Sequence, residues 1–218
     1  MTDVLLAGLA PDYLPYLEGW DLQKRTHRAV VDGSAPDTLI LCEHADVFTA
    51  GRRTSASERP TDGTPVVDVD RGGKITWHGP GQLTGYPIVR LPEPVDVIDH
   101  VRRLEQVMID VIGCFGVEGR RIDGRSGVWV GGPGEENKIG AVGVRVADGV
   151  AMHGFALNCS NSLAPFDRIV PCGITDAGVT TLSIEAGRTI TPADVVDSLV
   201  AIFLAGATPM DVDAEHAA

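Results

Sequence analysis

The stretch KIGAVGVRVADGVAMHGFALN, residues 138–158, decides the fold. Two strand-like runs, Lys138–Val146 and Val150–Asn158, flank Asp148-Gly149, a dipeptide that tolerates the positive φ angles of a two-residue hairpin turn. Gly127–Val130 precedes them across a Gly/Pro-rich turn, so the block predicts a three-stranded antiparallel meander. Before it, Val97, Val101, Leu104, Met108, Val111, Ile112 and Phe115 recur at helical spacing, predicting a helix over 95–115 that Gly116 stops. After it, Thr191 as N-cap, Pro192 at the first helical position and Asp194 in the first turn predict a helix to about Ala205. A helix over 12–32 carries Leu14, Leu17, Trp20, His27 and Val30 roughly on one side. Short strands are expected at 38–42 (TLILC), 66–69, 74–78 (KITWH) and 86–91. Blocks of helices and antiparallel strands indicate an α+β fold. No repeat, low-complexity block or linker divides the chain, so residues 1–206 read as a single domain. Residues 207–218, small and polar, read as a disordered tail.

Composition narrows the function classes. At 218 residues the chain buries roughly 70% of its unfolded surface and needs no disulfides to fold. Hydrophobic residues make up 44% and charged residues 22%, with no apolar run near the length of a membrane span. The N-terminus lacks the pattern of a secretory signal, so a cytoplasmic location is expected. A net charge of −12 argues against nucleic acid as partner. The cysteines, Cys42, Cys114, Cys159 and Cys172, form no metal-binding spacing, so no metal site is expected. Each is buried filler or a reactive thiol.

Arg71 to Gly85, RGGKITWHGPGQLTG, invites a nucleotide-binding reading because Gly79, Gly81 and Thr84 approach a dinucleotide fingerprint. That fingerprint opens a helix, whereas Tyr86-Pro-Ile-Val89 is strand-like. Gly134–Lys138 lacks the G-K-[ST] ending of a phosphate loop. The remaining readings are a backbone-lined wall against which a bound chain lies, and a plain tight turn. Arg71 and His78 bracket the segment, although His78 alone reads as a satisfied structural histidine.

Cys172 stands in Ile169-Val-Pro-Cys-Gly-Ile174. Pro171 holds Val170 extended and Gly173 permits a bend directly after the thiol. Cys42 in an apolar strand and Cys114 on a helix read as core, and Cys159 borders a polar loop, which makes Cys172 the best nucleophile candidate. A thiol of pKa ~8.5 needs about 2.7 kcal/mol to gain two units of acidity. An ammonium about 4 Å away supplies about 4 kcal/mol at an effective dielectric near 20. One lysine therefore suffices. Of the three, Lys24 reads as a surface charge, Lys74 is a competitor, and Lys138 is followed by Gly140, Ala141 and Gly143, small enough to leave room for a chain beside its amine. A solvated strand-end lysine is the plain alternative for Lys138.

Together these motifs resemble the lipoyl(octanoyl) transferase family. The resemblance rests on EHADVFTAGRR (43–53), RGGKITWHGPGQLTGYPIVRL (71–91), GRSGVWV (124–130), KIGAVGVRV (138–146), MHGFALN (152–158) and IVPCGI (169–174). It implies mixed and antiparallel sheets flanked by helices, similar to the catalytic domain of lipoate and biotin protein ligases. It implies that an octanoyl group passes from octanoyl-acyl carrier protein to a lysine of a lipoyl domain through a cysteine thioester, the first step of endogenous protein lipoylation. The acceptors implied are the lipoyl domains of 2-oxoacid dehydrogenases and the glycine cleavage H protein. The family's acyl-thioester cysteine falls on Cys172 and its activating lysine on Lys138. Its acyl-substrate wall falls on Arg71, Gly72, Gly73, Lys74, Ile75, Thr76, Trp77 and His78, on Ala141, Val142 and Gly143, and on His153, Gly154 and Phe155. No cofactor is implied, since thioester exchange is near neutral and amide formation is downhill. Acidic partners would need a basic face; Arg52-Arg53, Arg71, Arg102-Arg103 and Arg120-Arg121-Arg125 are candidates. The rivals are an ATP-dependent ligase of the same fold and a non-catalytic carrier-binding module.

Overall fold

The computed structural model describes residues 2–169 and 177–206. The hairpin forms where the sequence places it: strand β9 (Asn137–Ala147) and strand β10 (Val150–Asn158) pair antiparallel with Val150 opposite Ala147. The turn between them has positive φ at both Asp148 (53°) and Gly149 (72°), the requirement that Asp-Gly meets. Strand β8 (Arg125–Val130) flanks β9 and completes the expected meander, with the short β7 (Arg120–Ile122) outside it.

On the other side β10 pairs with β6 (Gln82–Ile88), β6 with β2 (Thr38–Cys42), and β2 with β1 (Asp3–Gly8), the last pair parallel. A two-residue strand β11 (Gly178–Val179) adds parallel to the start of β9, giving an eight-stranded mixed sheet among the described residues. A second sheet holds β3 (Val47–Ala50) between β4 (Val66–Asp68) and β5 (Ile75–His78).

Helix α1 (Tyr16–Val31) covers one face of the large sheet. Helices α2 (Val97–Gly113) and α4 (Pro192–Gly206) cover the other, and the four-residue α3 (Leu182–Glu185) leads into α4. Alternation on β2 shows the sandwich: Leu39 and Leu41 join the core under α2 and α4, while Ile40 and Cys42 join the core under α1. The α2 N-terminus is closed by Asp96, whose carboxylate accepts from the Ile98 and Asp99 amides. Asp194 likewise accepts from the Thr191 amide and hydroxyl at the start of α4. Among the described residues no helix is long and apolar enough to cross a membrane.

Several expectations are corrected. Leu17 is 57% exposed, because α1 buries Tyr16, Gly19, Gln23 and Val30 instead. Cys114 is exposed, since it caps the C-terminus of α2 on its outer side. Strand β6 starts at Gln82 rather than Tyr86. Gly85, the last residue of the glycine-rich segment, is a strand residue whose absent side chain admits the Phe155 ring; a Cβ there would stand 2.2 Å from it. The 207–218 tail lies outside the described residues.

Candidate active site

A cavity of about 260 Å³ opens between β9–β10 and the loop that leads into β5. Its floor is Ala141, Val142 and Gly143 of β9 with His153, Gly154, Phe155 and Ala156 of β10. Its opposite wall carries Arg71, Gly73, Lys74, Thr76 and His78. Tyr16, Thr84, Tyr86 and the Gly124-Arg125-Ser126 turn complete it; none of them is a site residue on the sequence reading, which names Thr84 only in the rejected fingerprint and Arg125 only as a docking candidate.

Lys138 reaches the cavity from the first turn-side residues of β9 and is 7% exposed. Its amine stands 4.7 Å from the ring centroid of Trp129, its cross-strand neighbour on β8. Gly127 closes the other side. Its φ is +111°, and a Cβ there would stand 3.1 Å from the Lys138 Cε and 3.4 Å from its Nζ. Glu105, fully buried on α2, pins that glycine by accepting from its amide at 2.7 Å. Among the described residues the amine has no carboxylate partner. Lys74, the competitor, is ion-paired with Glu58.

Cys172 lies outside the described residues. The chain resumes at Ala177 and is at once stitched to Lys138: Val179 is its register partner and the Thr180 amide donates to the Lys138 carbonyl at 3.0 Å. Asn158 supports that joint by donating to the Thr180 carbonyl at 3.0 Å. Of the other thiols, Cys42 and Cys159 are fully buried, and burial pushes both well up, Cys159 to about 12. Neither supplies a thiolate at neutral pH.

The Arg71–His78 run splits along β5. Thr76 and His78 face the cavity, whereas Ile75 and Trp77 pack with Phe48, Phe166 and Ile169 in a third core cluster. Gly72 is tied by its amide to the Val144 carbonyl, at 2.9 Å. The Arg71 guanidinium binds the carbonyls of Gly72, Lys74 and Thr49 and the Thr49 hydroxyl, all at 2.9–3.0 Å, and so holds the loop in shape while lining the cavity.

Two histidines differ in their anchoring. The Gln82 amide nitrogen donates to the Trp77 carbonyl and Asn158, so its oxygen accepts from the His78 Nδ1–H at 2.8 Å. Burial holds His78 neutral, its pKa pulled down to about 3, so its Nε2 keeps a lone pair. His153 has left-handed backbone, φ 58°, and its Nε2 stands 2.8 Å from Asp70, which also pairs with Arg145. Burial lowers His153 as well; the hydrogen bond from His153 holds Asp70 down at about 2.

A model of the lipoyl protein ligase A/B catalytic domain matches residues 15–204. The chain is 59% identical over 204 residues to a protein of Clavibacter sepedonicus named octanoyltransferase, covering 91% of this chain and 88% of that one. It is 57% identical over 218 residues to the octanoyltransferase of Leifsonia xyli subsp. xyli, covering 97% of both. Among solved structures, a putative lipoate protein ligase from Thermoplasma acidophilum with bound lipoic acid superposes with a TM-score of 0.66 at 12% identity, covering 94% of this chain and 85% of that one. A bipartite lipoate protein ligase from the same organism, studied with its E2 lipoyl domain, gives 0.70 at 14% identity and covers 94% and 84%. Likeness at that identity speaks for the fold alone.

Proposed function

The chain belongs to the lipoyl protein ligase A/B catalytic family, and from that premise we infer that it is an octanoyltransferase, an acyltransferase of protein lipoylation. The reaction proposed is a two-step transfer in which Cys172 carries the acyl group and Lys138 moves the protons. One observation carries the assignment of Lys138: a buried amine on the cavity wall, free of any carboxylate partner among the described residues, joined through Val179 and Thr180 to the chain that follows Cys172.

Lys138 takes the Cys172 thiol proton, and the thiolate attacks the carbonyl carbon of octanoyl-acyl carrier protein. The tetrahedral intermediate collapses, the carrier thiolate leaves, and the Lys138 ammonium returns the proton to it. A lipoyl-domain lysine then attacks the Cys172 thioester as a neutral amine. Its extra proton passes to Lys138 as the C–N bond forms, and the thiolate is released. Glycine amides along the wall are candidate donors to the oxyanion. Burying roughly six methylenes of the octanoyl tail contributes about 5 kcal/mol. The acceptors proposed are lipoyl domains of 2-oxoacid dehydrogenases and the glycine cleavage H protein, and the location proposed is the cytoplasm.

The decisive experiment is intact mass spectrometry after mixing with octanoyl-carrier protein and no ATP. An octanoyl adduct that disappears in Cys172→Ser is expected; a wild type that stays unmodified would sink the proposal. An ATP-dependent ligase would be indifferent to Cys172→Ser, and a binding module would give no adduct at all. Lys138→Ala should slow adduct formation by about 10²–10⁴-fold, the range of general acid–base catalysis. An unchanged rate would remove Lys138 from the chemistry.

A further inference from the structure

Of the arginine clusters that the sequence offers to an acidic partner, most are consumed internally. Arg102 and Arg121 serve the buried Glu105, at 2.8 and 3.2 Å. Arg103 pairs with Asp99 at 2.7 Å and Arg120 with Glu136 at 3.5 Å. Arg71 is spent on its own loop, and the Arg125 guanidinium lies 5.9 Å over the Trp129 ring.

Arg52 and Arg53 remain. They follow β3 in a turn whose backbone is fixed: the Arg52 amide donates to the Arg71 carbonyl and the Arg53 amide to the Gly73 carbonyl, each at 3.1 Å. Gly51 locks the turn from behind, since a Cβ there would stand 2.6 Å from the Gly73 carbonyl. Both side chains are exposed, and neither guanidinium has a hydrogen-bonding or ion-pair partner among the described residues. Arg53 also lines the cavity that Lys138 enters. The charged side chains of that lining are Arg53, Arg71, Lys74, Arg125 and Lys138, with no carboxylate, on a chain whose net charge is −12. An exposed guanidinium on a rigid turn, at the edge of a cavity lined by four further cations, sits in a positive field that an anion would relieve. A planar fork suits a phosphate oxygen pair better than a point charge does.

Building on the acyl-transfer reading, we propose that Arg53, with Arg52 beside it, binds the phosphodiester of the flexible arm that brings the acyl thioester to the cavity. An anion on a carrier's folded surface would meet the rim alone. An anion on the arm itself is the one that a cavity-lining arginine can reach while the thioester lies deeper inside.

The test compares two small donors, octanoyl-4′-phosphopantetheine and its dephosphorylated counterpart octanoyl-pantetheine, by the rate of Cys172 acylation. Wild type should prefer the phosphorylated donor by about tenfold or more in kcat/KM, expressed in KM, as expected for hydrogen bonds to a charged group. Arg53→Gln should bring that ratio near one, and Arg53→Lys should leave it in between. A ratio near one in the wild type, or the same ratio in both proteins, overturns the proposal. If neither donor acylates the enzyme, the acyl-transfer reading fails instead. The subsite is then decided by calorimetric titration with 4′-phosphopantetheine: a Kd about tenfold weaker in Arg53→Gln supports it, and an equal Kd overturns it.

Discussion

The two walls of the cavity are built on different principles. The β9–β10 wall is a ladder, in which Gly143 stands opposite Gly154 and Val142 opposite Phe155 because one register places every residue between them. The facing Arg71–His78 wall has no such uniform support. Its loop half is shaped by one guanidinium, and its strand half alternates between cavity and core. A ladder spreads the cost of any one change over many bonds. The opposite wall concentrates it on a few buried groups, so mutation and acid should injure the two walls unequally.

Acid gives the largest expected effect. His78 lies stacked on Tyr16 with ring centroids 6.0 Å apart, and His44 is 5.9 Å from it, held by Leu14 and Tyr86. Burial pulls His78 down to about 3 and His44 to about 4; His100 on α2 is held at about 4 by the same cause. In the unfolded chain each takes a proton near pH 6.5, so the unfolded state binds more protons between about pH 6.5 and 4. Their contribution is complete above that window and is lost as the pH falls through it. The Asp70 contribution is lost only below its ordinary value of 3.8. The midpoint of urea unfolding, followed against pH, should report uptake of about three protons from these rings near pH 5, or about 4 kcal/mol per pH unit, with His153, lowered by burial too, adding to it. A slope below about one proton would contradict the neutral burial of these rings.

The alternation along β5 gives the next effect. Trp77 is 2% exposed, packs edge-on against Phe166 at 5.6 Å and donates its indole N–H to Asp46. Trp77→Ala should therefore cost about 3–5 kcal/mol by chemical denaturation. Thr76→Ala, one residue away on the cavity side, should cost about 1 kcal/mol or less. Equal losses at the two positions would mean that the wall does not alternate.

How much of this was legible follows from how local each cause is. The hairpin, α2 and α4 were readable because periodicity, an Asp-Gly turn and a Thr-Pro-x-Asp start lie within a few residues of what they specify. Strand β1 was missed because its partner is β2, more than thirty residues on, in a parallel pair that no turn signals. The splitting of the Arg71–His78 wall was hidden because the family pattern treats the run as one surface. The strand expected over 74–78 carries that period, but which of its faces turns to the cavity appears only once β5 is paired with β3. The bond from His153 to Asp70 spans 83 residues, beyond any local signal. The Trp129 seat under Lys138 depends on a β8 register interrupted by a bulge beside Val128, which shifts the pairing from what simple counting gives. Cys172, best of the four thiols on local grounds, belongs to a segment outside the described residues, so its role stays a proposal that mass spectrometry decides.

The smallest expected effect separates the two lysines that face this cavity from its opposite walls. Lys138 on the ladder is 7% exposed, lies against an aromatic face and has no carboxylate partner among the described residues. Lys74 on the loop wall is ion-paired with Glu58, and its side chain is 36% exposed. A base that must give up and regain a proton is served by the first setting, because a paired carboxylate would hold the ammonium form in place. Only the lysine end of that pair is open to solvent; the Glu58 side chain is 10% exposed and, without Lys74, keeps the Ser55 amide as its partner. Lys74→Met should then lower the rate of Cys172 acylation by no more than about fivefold, while the denaturation midpoint falls because the buried Glu58 carboxylate loses its cation. A loss as deep as that of Lys138→Ala would transfer the proton-moving role from the ladder to the loop, and with it the claim that the rigid wall carries the chemistry while the tethered wall shapes the space.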